Sequence, residues 1–341
     1  MNVGWLDRHS GVNVYQSRGY GEAASSTIGA HWDVVGDVTG RWRVPLCIFE
    51  IDDSSHRDAV SPYGYSGIHV DSSMNADEVA SAWRATRDLL AEREIVSVFF
   101  RFAPYTDDVA RLHSVPDLDL EELSETVIID LDEEETMWDR MHGRSRTAIR
   151  KAEREGLRAR VVESRPLDLR SGTGFRRVYD AAMDRVVASS AHRHQDDYYD
   201  RLVCATDVDM RLIEVLDTDG DVVAATLLLI DEDAVHYHLS GSVIEAARNG
   251  ANNLLIWTAM RWATEHGHKQ FHLGGGTARD DGLFRFKSSF GGRALPFFVG
   301  RLIVKPDVYD GLIDARSELL GVDSTILRSG SFFPAYRAVA S

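Results

Sequence analysis

The second half of the chain contains a closely spaced run of predicted strands, and this run restricts the fold more than any other feature. Strands rich in aliphatic residues are predicted at 210–216, 222–230 and 234–240. The connections 218–221 and 231–233 consist of Asp, Glu, Thr and Gly, which favour tight turns. Connections this short join neighbouring antiparallel strands, so the segment predicts an antiparallel meander.

Helices and further strands flank this meander on both sides. A strand at 157–163 and helices near 174–189 and 198–206 precede it. The elements after it are a helix, a strand, a short helix, a strand and a last helix, at 252–266, 270–273, through Phe286, 297–304 and from Val308. This order predicts an α/β (α+β) domain, in which helices flank a mixed and largely antiparallel sheet.

The first half predicts a less regular version of the same organisation. Its strands are predicted at 42–51, 95–102 and 126–131. They accompany a helix that Asn75 caps, with Glu78 completing a capping box. Another helix is predicted over 133–155, and Gly156 is suited to end it.

Length and charge predict where the chain divides. A chain of 341 residues is long enough for two cores. Residues 140–160 carry eight basic and two acidic side chains, whereas residues 1–139 carry 10 basic and 27 acidic ones. The sequence therefore predicts a first domain at 1–139, a basic helical junction at 140–156 and a second domain at 157–341.

Composition limits the cellular setting and the partners. The net charge of −16 disfavours general binding to nucleic acid or anionic membranes, so a polyanion must bind locally. The longest apolar run, 222–230, is far shorter than the ~20 residues of a membrane-spanning helix. Residues 1–10 lack the apolar core of a signal peptide, and Cys47 and Cys204 form no disulfide framework. We therefore expect a cytoplasmic protein without a cofactor.

Short segments spread over nearly the whole chain form a recognisable series. They are 61–65 (SPYGY), 144–156 (RSRTAIRKAEREG), 239–242 (LSGS), 253–257 (NLLIW), 273–276 (LGGG), 282–287 (GLFRFK), 290–291 (FG) and 332–337 (FFPAYR). In this order they resemble the Fem family of aminoacyl-tRNA-dependent peptidyltransferases and its GNAT-like relatives. The resemblance implies two tandem GNAT-like domains. It also implies transfer of an amino acid from aminoacyl-tRNA to the amine of a peptide-like acceptor, a cell-wall precursor or a natural-product intermediate.

The basic segment at 144–156 has two interpretations. The resemblance implies that the basic segment binds tRNA through Arg144, Arg146, Arg150, Lys151 and Arg154. The alternative is that this segment is an ordinary solvated helix whose arginines pair with neighbouring acids.

An acyl-CoA-dependent GNAT N-acetyltransferase is the alternative function. Such an enzyme holds the CoA pyrophosphate on a Gly-rich loop at a helix start. Arg248 and Gly250 in 246–252 (AARNGAN) are one residue too close for that loop. A non-catalytic pair of GNAT-like domains is a second alternative, because the chain has no nucleophile motif. GNAT-type transfer needs none.

One of the four lysines follows a triple glycine in the sequence. Lys287 follows Arg285 and Phe286, shortly after Gly275 and Gly276. An ammonium at such a turn can stabilise the oxyanion of acyl transfer by ~3–4 kcal/mol, and the resemblance implies this role for the Phe-Lys pair. We predict that Lys287 is catalytic and that the other four residues contact substrate. A surface lysine at a helix end is the alternative.

Histidines recur on two predicted strands of the second half. His236 and His238 alternate on one strand and share a face, whereas Tyr237 lies on the other face. In a GNAT-like sheet this strand and the strand of His272 splay apart to form the acceptor cleft. A neutral imidazole there can take a proton from an attacking ammonium, so His238 and His272 are predicted to be catalytic and Tyr237 to contact substrate. Polar histidines at a strand end are the alternative.

Two weaker patterns complete the candidate site. Tyr63 and Tyr65 lie in a turn formed by Pro and Gly and are predicted to line the acceptor pocket, although a structural loop is an equal alternative. His-x-His pairs occur at 192/194 and 266/268, but no carboxylate lies at a ligand spacing, so no metal site is predicted.

Overall fold

The computed structural model describes residues 2–6, 11–52, 54–164, 167–185, 194–276 and 280–338. Its strands are β1 (Val3–Trp5), β2 (His31–Asp37), β3 (Trp42–Glu50), β4 (Arg57–Val60), β5 (His69–Val70), β6 (Ile95–Arg101), β7 (Leu118–Asp130), β8 (Arg158–Val161), β9 (Asp209–Leu216), β10 (Val222–Ile230), β11 (Ala234–Ser242), β12 (Gln270–Gly275) and β13 (Arg293–Ile303).

Its helices are α1 (Arg18–Thr27), α2 (Ala76–Glu92), α3 (Asp108–Leu112), α4 (Glu134–Arg140), α5 (Gly143–Arg154), α6 (Gly174–Arg185), α7 (Asp196–Cys204), α8 (Ile244–Arg248), α9 (Ala251–Glu265), α10 (Gly282–Ser288), α11 (Pro306–Leu320) and α12 (Ser324–Ser329). Short 3₁₀ turns cover Val14–Gln16 and Ala335–Arg337. Within the described ranges, no helix is both long and apolar enough to cross a membrane.

The chain divides into two compact units. Unit 1 comprises Met1–Leu123 and Phe297–Ser341, and unit 2 comprises Ser124–Pro296. These bounds differ from the predicted division at 139 and 156. The predicted basic junction is an internal helix of unit 2, and the last part of the chain belongs to unit 1.

Unit 1 contains a mixed and largely antiparallel sheet. Strands β1, β2, β3 and β4 pair antiparallel in that order, and β5 also pairs with β3. Strand β4 pairs parallel with β6, which pairs antiparallel with β13. Helix α2 covers this sheet with Val79, Ala82 and Trp83, which are buried in the core of the unit. The predicted capping box between Asn75 and Glu78 is present at the start of α2.

Unit 2 repeats this arrangement. Strands β8, β9, β10 and β11 pair antiparallel, which confirms the predicted meander. Strand β11 pairs parallel with β12, and β12 pairs antiparallel with β7. Helix α9 contributes the buried Leu255, Ile256 and Met260 to a core that also contains Ile213 and Phe271. Each unit is therefore a mixed sheet flanked by helices, as the sequence predicts.

The two halves of the chain exchange a strand. In unit 1, β6 is closed by residues 299–303 of β13, which follow unit 2 in the sequence. In unit 2, β12 is closed by residues 126–130 of β7, which follow the first part of unit 1. Because these partners are distant in sequence, the unit bounds differ from bounds drawn by following the chain.

The helix predicted over 133–155 is two helices. Helix α4 ends at Arg140, and α5 begins at Gly143. Met141 and His142 between them have extended backbone, Met141 is buried in the core, and the His142 amide donates to the carbonyl of Ser289. Burial of Met141 and this non-local hydrogen bond redirect the chain, and Gly143 directly follows the break as the first residue of α5.

Candidate active site

Strands β11 and β12 separate in the middle of the unit 2 sheet. Their parallel pairing runs from Ala234 and Gln270 to His236 and His272. Beyond this point β11 stays paired with β10 and β12 stays paired with β7, so a gap opens between β11 and β12. This is the splay expected from the resemblance, and the histidines lie where it begins.

A β-bulge lies on β11 at the same level. Leu239 pairs with Leu227 and Tyr237 pairs with Leu228, so His238 is the additional residue of the bulged strand. A bulge re-aims side chains, and the strict alternation assumed from the sequence stops at His238. Tyr237 packs against the core of unit 2 and its hydroxyl donates to Ser240 Oγ. Burial raises the pKa of Tyr237 to about 12.

His236 and His272 face each other at the start of the gap. Their Nδ1 atoms are 3.4 Å apart and both side chains are buried. His236 Nε2 lies 2.8 Å from Asp231 Oδ2, and Asp231 lies at the turn between β10 and β11. Burial, together with the charges of His236 and Lys287, lowers the pKa of His272 well below its usual value. His272 is therefore a neutral imidazole at physiological pH.

His238 contacts a different group of side chains. Its Nε2 atom lies 2.7 Å from the hydroxyl of Tyr198 on α7, and the ring of His194 stacks on Tyr198 at 3.9 Å. Burial first, and then His194 and His236, lower the pKa of His238 well below its usual value. His238 is therefore also neutral. His192, the other histidine of the 192/194 pair, lies outside the described residues.

Lys287 is buried at the end of α10. Asp281 caps this helix by accepting from the amide of Phe284, which fixes where α10 begins. Lys287 is 9% exposed, and its Nζ atom donates to the carbonyl oxygen of Gly275 at 2.7 Å. Burial lowers the pKa of Lys287 to about 8, against the opposing charge of Asp281. The interpretation of Lys287 as a surface lysine is wrong.

The glycines at the end of β12 allow close backbone approach. Gly274 has φ +71° at a second irregularity in the pairing with β7, a conformation that disfavours other residues. A Cβ atom at Gly275 would lie 2.8 Å from the carbonyl oxygen of Glu125, and one at Gly276 would lie 2.2 Å from Asp281 Oδ1. These glycines bring the backbone of β12 to β7 on one side and to the cap of α10 on the other.

The two residues before Lys287 lie in different environments. Phe286 packs against the unit 2 core and meets Phe290 edge to face, with ring centroids 5.4 Å apart. Arg285 is exposed, and its Nη1 atom donates to the carbonyl of Asp280. Contact of either residue with substrate stays a prediction.

Tyr63 and Tyr65 belong to unit 1. Arg101 lies over the ring of Tyr63, with its guanidinium carbon 5.8 Å from the ring centroid. Burial raises the pKa of Tyr63 and lowers that of Arg101. The ring of Tyr65 meets Tyr15 and Phe297 edge to face. An acceptor-binding role for the two tyrosines stays a prediction.

The five predicted tRNA-binding residues lie on α5, and four of them donate to backbone carbonyls. Arg154 donates to the carbonyl of Arg150 at 3.3 Å. Arg144 donates to the Arg285 carbonyl, Arg146 to the carbonyls of Trp138 and Asp139, and Lys151 to the Arg248 carbonyl.

Arg150 and Arg154 are exposed and line a groove of about 530 Å³ with Thr147 and Glu153. Within the described residues, none of the five predicted tRNA-binding side chains forms an ion pair with a carboxylate. The arginine–acid pairs expected of an ordinary solvated helix are therefore absent from the described residues.

Helix α5 is also bonded to α10, which carries Lys287. Ser145 Oγ lies 2.7 Å from Ser289 Oγ, and Arg144 Nη2 donates to the Arg285 carbonyl at 2.9 Å. The basic helix and the helix of Lys287 are thus joined at one end of each.

The start of α9 is where a CoA-binding GNAT enzyme has its pyrophosphate loop. Gly250 has φ +90°, and a Cβ atom there would lie 2.2 Å from the carbonyl oxygen of Ala148 on α5. Ala251, the first residue of α9, is fully buried. Helix α5 therefore packs against the start of α9.

Asp231 and Tyr198 are two site residues that the sequence did not identify. Asp231 was interpreted as a turn residue only, and Tyr198 as part of an ordinary helix. The available signal for Asp231 is an acid directly after the buried strand β10 and five residues before His236.

Comparisons with known proteins agree with this fold. Residues 140–288 match the family model described as an acetyltransferase (GNAT) domain. The structure titled FemX superposes with a TM-score of 0.67 at 15% identity, over 90% of this chain and 98% of that one.

Two further structures are similar. L-PGS from Bacillus licheniformis gives a TM-score of 0.58 at 16% identity, covering 86% of this chain and 94% of that one. The C-terminal domain of a putative lysylphosphatidylglycerol synthetase from Agrobacterium fabrum gives 0.57 at 17%, covering 87% and 96%. No curated protein matches the chain.

The fold and the family model define a GNAT-type acyltransferase domain in unit 2. The resemblance to Fem and GNAT-like proteins, inferred from short motifs, is confirmed at the level of fold.

Proposed function

We propose that the protein is an aminoacyltransferase that moves an amino acid from aminoacyl-tRNA to the amine of a peptide-like acceptor. The acceptor class is a cell-wall precursor or a natural-product intermediate, and the product is an amide. The observation that carries the proposal is the buried ammonium of Lys287 at the end of β12, beside the gap between β11 and β12.

Lys287 stabilises the charge that develops during transfer. Attack of the amine on the ester carbonyl of the donor forms a tetrahedral oxyanion. An ammonium has three N–H donors, and Gly275 is its one hydrogen-bond acceptor among the described residues. Two donors therefore remain for the oxyanion, in an environment of low dielectric constant where each is worth more than in water.

The acceptor amine must lose its proton before it attacks. His272 and His238 are neutral because burial lowers the pKa of each. A neutral imidazole has one nitrogen lone pair and can accept that proton. Lys287 is close enough to lower the pKa of His272, so this imidazole lies near the ammonium.

The basic helix α5 supports tRNA as the donor. Arg150 and Arg154 leave their charge exposed in an otherwise acidic protein, and a polyanion binds such a local patch through its phosphates. Because α5 is bonded to α10, a nucleic acid on α5 lies next to the helix that carries Lys287.

Acyl-CoA is the competing donor, and the GNAT family model is the observation that favours it. A pyrophosphate needs accessible amide groups at a helix start. At α9 that start is covered, because Gly250 and Ala251 are buried and the former lies against Ala148. This geometry favours tRNA over CoA.

The buried ionisable groups of the site argue against a non-catalytic protein. A buried ammonium reduces stability, burial lowers the pKa of His272 and His238, and perturbed groups of this kind are concentrated at functional sites. Their grouping around one gap in the sheet therefore favours an enzyme.

The test compares donors directly. The purified chain is incubated with tRNA charged with labelled amino acids, and separately with acetyl-CoA, in the presence of peptide and cell-wall precursor amines. We expect label from charged tRNA to appear in an amide product. Acetylation of an amine with no transfer from any charged tRNA would replace this proposal by the acyl-CoA function.

A further inference from the structure

A row of three polar side chains, one half-buried and two buried, runs from the surface to the gap between β11 and β12. Asp231, which is 18% exposed, has its Oδ2 atom 2.8 Å from Nε2 of His236. Nδ1 of His236 lies 3.4 Å from Nδ1 of His272, with the two rings at 85°. Sequence alternation singled out His236, but the mechanism above does not use it.

The hydrogen-bond donors along this row of side chains determine which ring nitrogen carries each proton. An ionised carboxylate accepts hydrogen bonds only, so His236 carries its proton on Nε2 and donates to Asp231. With a single proton on its ring, His236 then has a lone pair on Nδ1, and the opposite Nδ1 of His272 must donate to it. His272 therefore carries its proton on Nδ1, and its Nε2 atom has the lone pair.

We propose that Asp231 and His236 are positioning residues that hold His272 in the tautomer with an unprotonated Nε2, which makes His272 the general base of the transfer. The inference rests on the proposed function, since it names the group that serves that reaction. It assigns the role of base to His272 and not to His238, whose Nε2 atom is engaged with the Tyr198 hydroxyl.

The proton transfers balance. Nε2 of His272 takes a proton from the acceptor ammonium, and the Nδ1 proton of His272 moves to Nδ1 of His236, whose positive charge then faces the Asp231 carboxylate. The amine nitrogen forms its bond to the ester carbonyl, and the C–O bond to the tRNA ribose breaks. One proton returns through His272 to the leaving ribose oxygen, and the second proton of the ammonium goes to water.

The charged and titratable neighbours of Asp231, His236 and His272 are few. On α10, Lys287 faces His272 and opposes a positive charge there. On β11, His238 is close enough to His236 for the two rings to influence each other, and His194 and Tyr198 lie beyond it. Asp231 is the one acid bonded to either ring among the described residues. It therefore compensates the charge that His236 acquires during the reaction.

Nuclear magnetic resonance tests the tautomers without any activity assay. Histidine-selective 15N labelling with two-bond 1H–15N correlation distinguishes a protonated ring nitrogen from an unprotonated one. His236→Gln and His272→Gln identify the signals among 13 histidines. We expect the proton of His236 on Nε2 and that of His272 on Nδ1 at neutral pH. A proton on Nε2 of His272 would overturn the inference.

Asp231→Asn tests the positioning role. The amide can donate to Nε2 of His236, which moves the proton of His236 to Nδ1 and that of His272 to Nε2. We expect this tautomer switch in the spectra, and a fall of about 10²-fold in the single-turnover rate at saturating acceptor. The control is Asp233→Asn, which removes an exposed carboxylate paired with Lys269 in the same turn.

The outcomes separate the inference from the proposed function. A wild-type transfer rate in Asp231→Asn with the tautomers switched would overturn the positioning role. If the wild-type protein transfers from no charged tRNA, the proposed function fails. The tautomer spectra then still support or overturn the proton arrangement, because they need neither donor nor acceptor.

Discussion

The ammonium nitrogen of Lys287 lies 2.7 Å from the carbonyl oxygen of Gly275, and this contact joins α10 to the end of β12. Gly275 cannot carry a side chain here, because a Cβ atom would lie 2.8 Å from the Glu125 carbonyl. The contact therefore depends on a glycine at position 275, where β7 leaves no room for a side chain, and on Lys287, which is buried at the end of α10.

Replacement of Lys287 by Met should slow transfer and leave the fold intact. The substitution keeps the apolar stem and removes the charge that stabilises the oxyanion. Loss of a donor worth ~3 kcal/mol reduces the single-turnover rate by about 10²-fold. Lys269→Met is the matched control, since Lys269 is an exposed lysine of the same unit paired with Asp233. A loss confined to acceptor affinity would instead assign Lys287 to binding an anionic group.

The same Lys287→Met variant should be more stable than the wild type at pH 7. Burial lowers the pKa of Lys287 from 10.5 to about 8, a penalty of about 3 kcal/mol for the protonated form. The unfolded state binds the proton more tightly, so the penalty is complete below pH 8 and disappears as the pH rises through 10.5. Loss of the hydrogen bond to Gly275 returns about 1 kcal/mol. Urea midpoints that differ equally at pH 7 and pH 10.5 would contradict this explanation.

Mild acid should destabilise the protein through its buried histidines. Burial lowers the pKa of His238 in the folded state well below 6.5, so the unfolded state binds more protons as the pH falls below 6.5. Each such histidine costs about 1.4 kcal/mol per pH unit over that range. The thermal midpoint should therefore fall between pH 7 and pH 5, and less steeply in His238→Gln, which can still bond the Tyr198 hydroxyl. Parallel pH profiles of variant and wild type would exclude His238 as a cause.

Charge reversal on α5 should weaken use of charged tRNA. Arg150→Glu with Arg154→Glu places two acids in the groove, and we expect transfer to fall at least about 10-fold with a smaller dependence on salt. The control pair is Arg84→Glu with Arg177→Glu, which changes two exposed arginines outside the basic segment by the same total charge. Equal effects of the two pairs would indicate general electrostatics and remove the tRNA site from α5.

The ion pair between Asp58 and Arg337 should stabilise unit 1. Asp58 is 1% exposed, and the guanidinium of Arg337 donates to both of its oxygens. Burial already raises the pKa of Asp58, so removing its cation leaves a costly buried carboxyl. Arg337→Met should reduce stability by about 3–5 kcal/mol in thermal unfolding. Adding Asp58→Asn should recover part of that loss, and a double variant as unstable as Arg337→Met would contradict the pairing.

Local patterns predicted the parts of the fold that depend on neighbouring residues. The capping box of Asn75 and Glu78 and the meander β9–β11 each depend on residues close in sequence, and both are present. The break at Met141 and His142 was not predicted. Gly143 is a local signal beside it, but the hydrogen bond from the His142 amide to the distant Ser289 carbonyl is visible only in the fold. Strands β6 and β13 were both predicted, but their pairing was not, because alternation identifies a strand and not its neighbour.

The residues of the candidate site likewise fall into those that the sequence predicted and those that it did not. Lys287 stood out because lysine is rare here, and the histidines stood out by alternation. Alternation assumes a regular strand, so it could not predict that the bulge directs His238 to Tyr198 while His236 meets His272. Asp231 was missed because the same residue serves a turn and a hydrogen bond, and only the fold reveals the second role.

The strand exchange affects how the chain is synthesised. Unit 2 is one continuous stretch, so all of its strands leave the ribosome before residue 297. Strand β6 of unit 1 leaves early, but it pairs with residues 299–303 of β13, which emerge only after the whole of unit 2. An unpaired strand edge readily pairs with another chain. The β13 edge of β6 therefore has no partner from its own unit until unit 2 has been translated, and during this interval β6 is exposed to pairing with another chain.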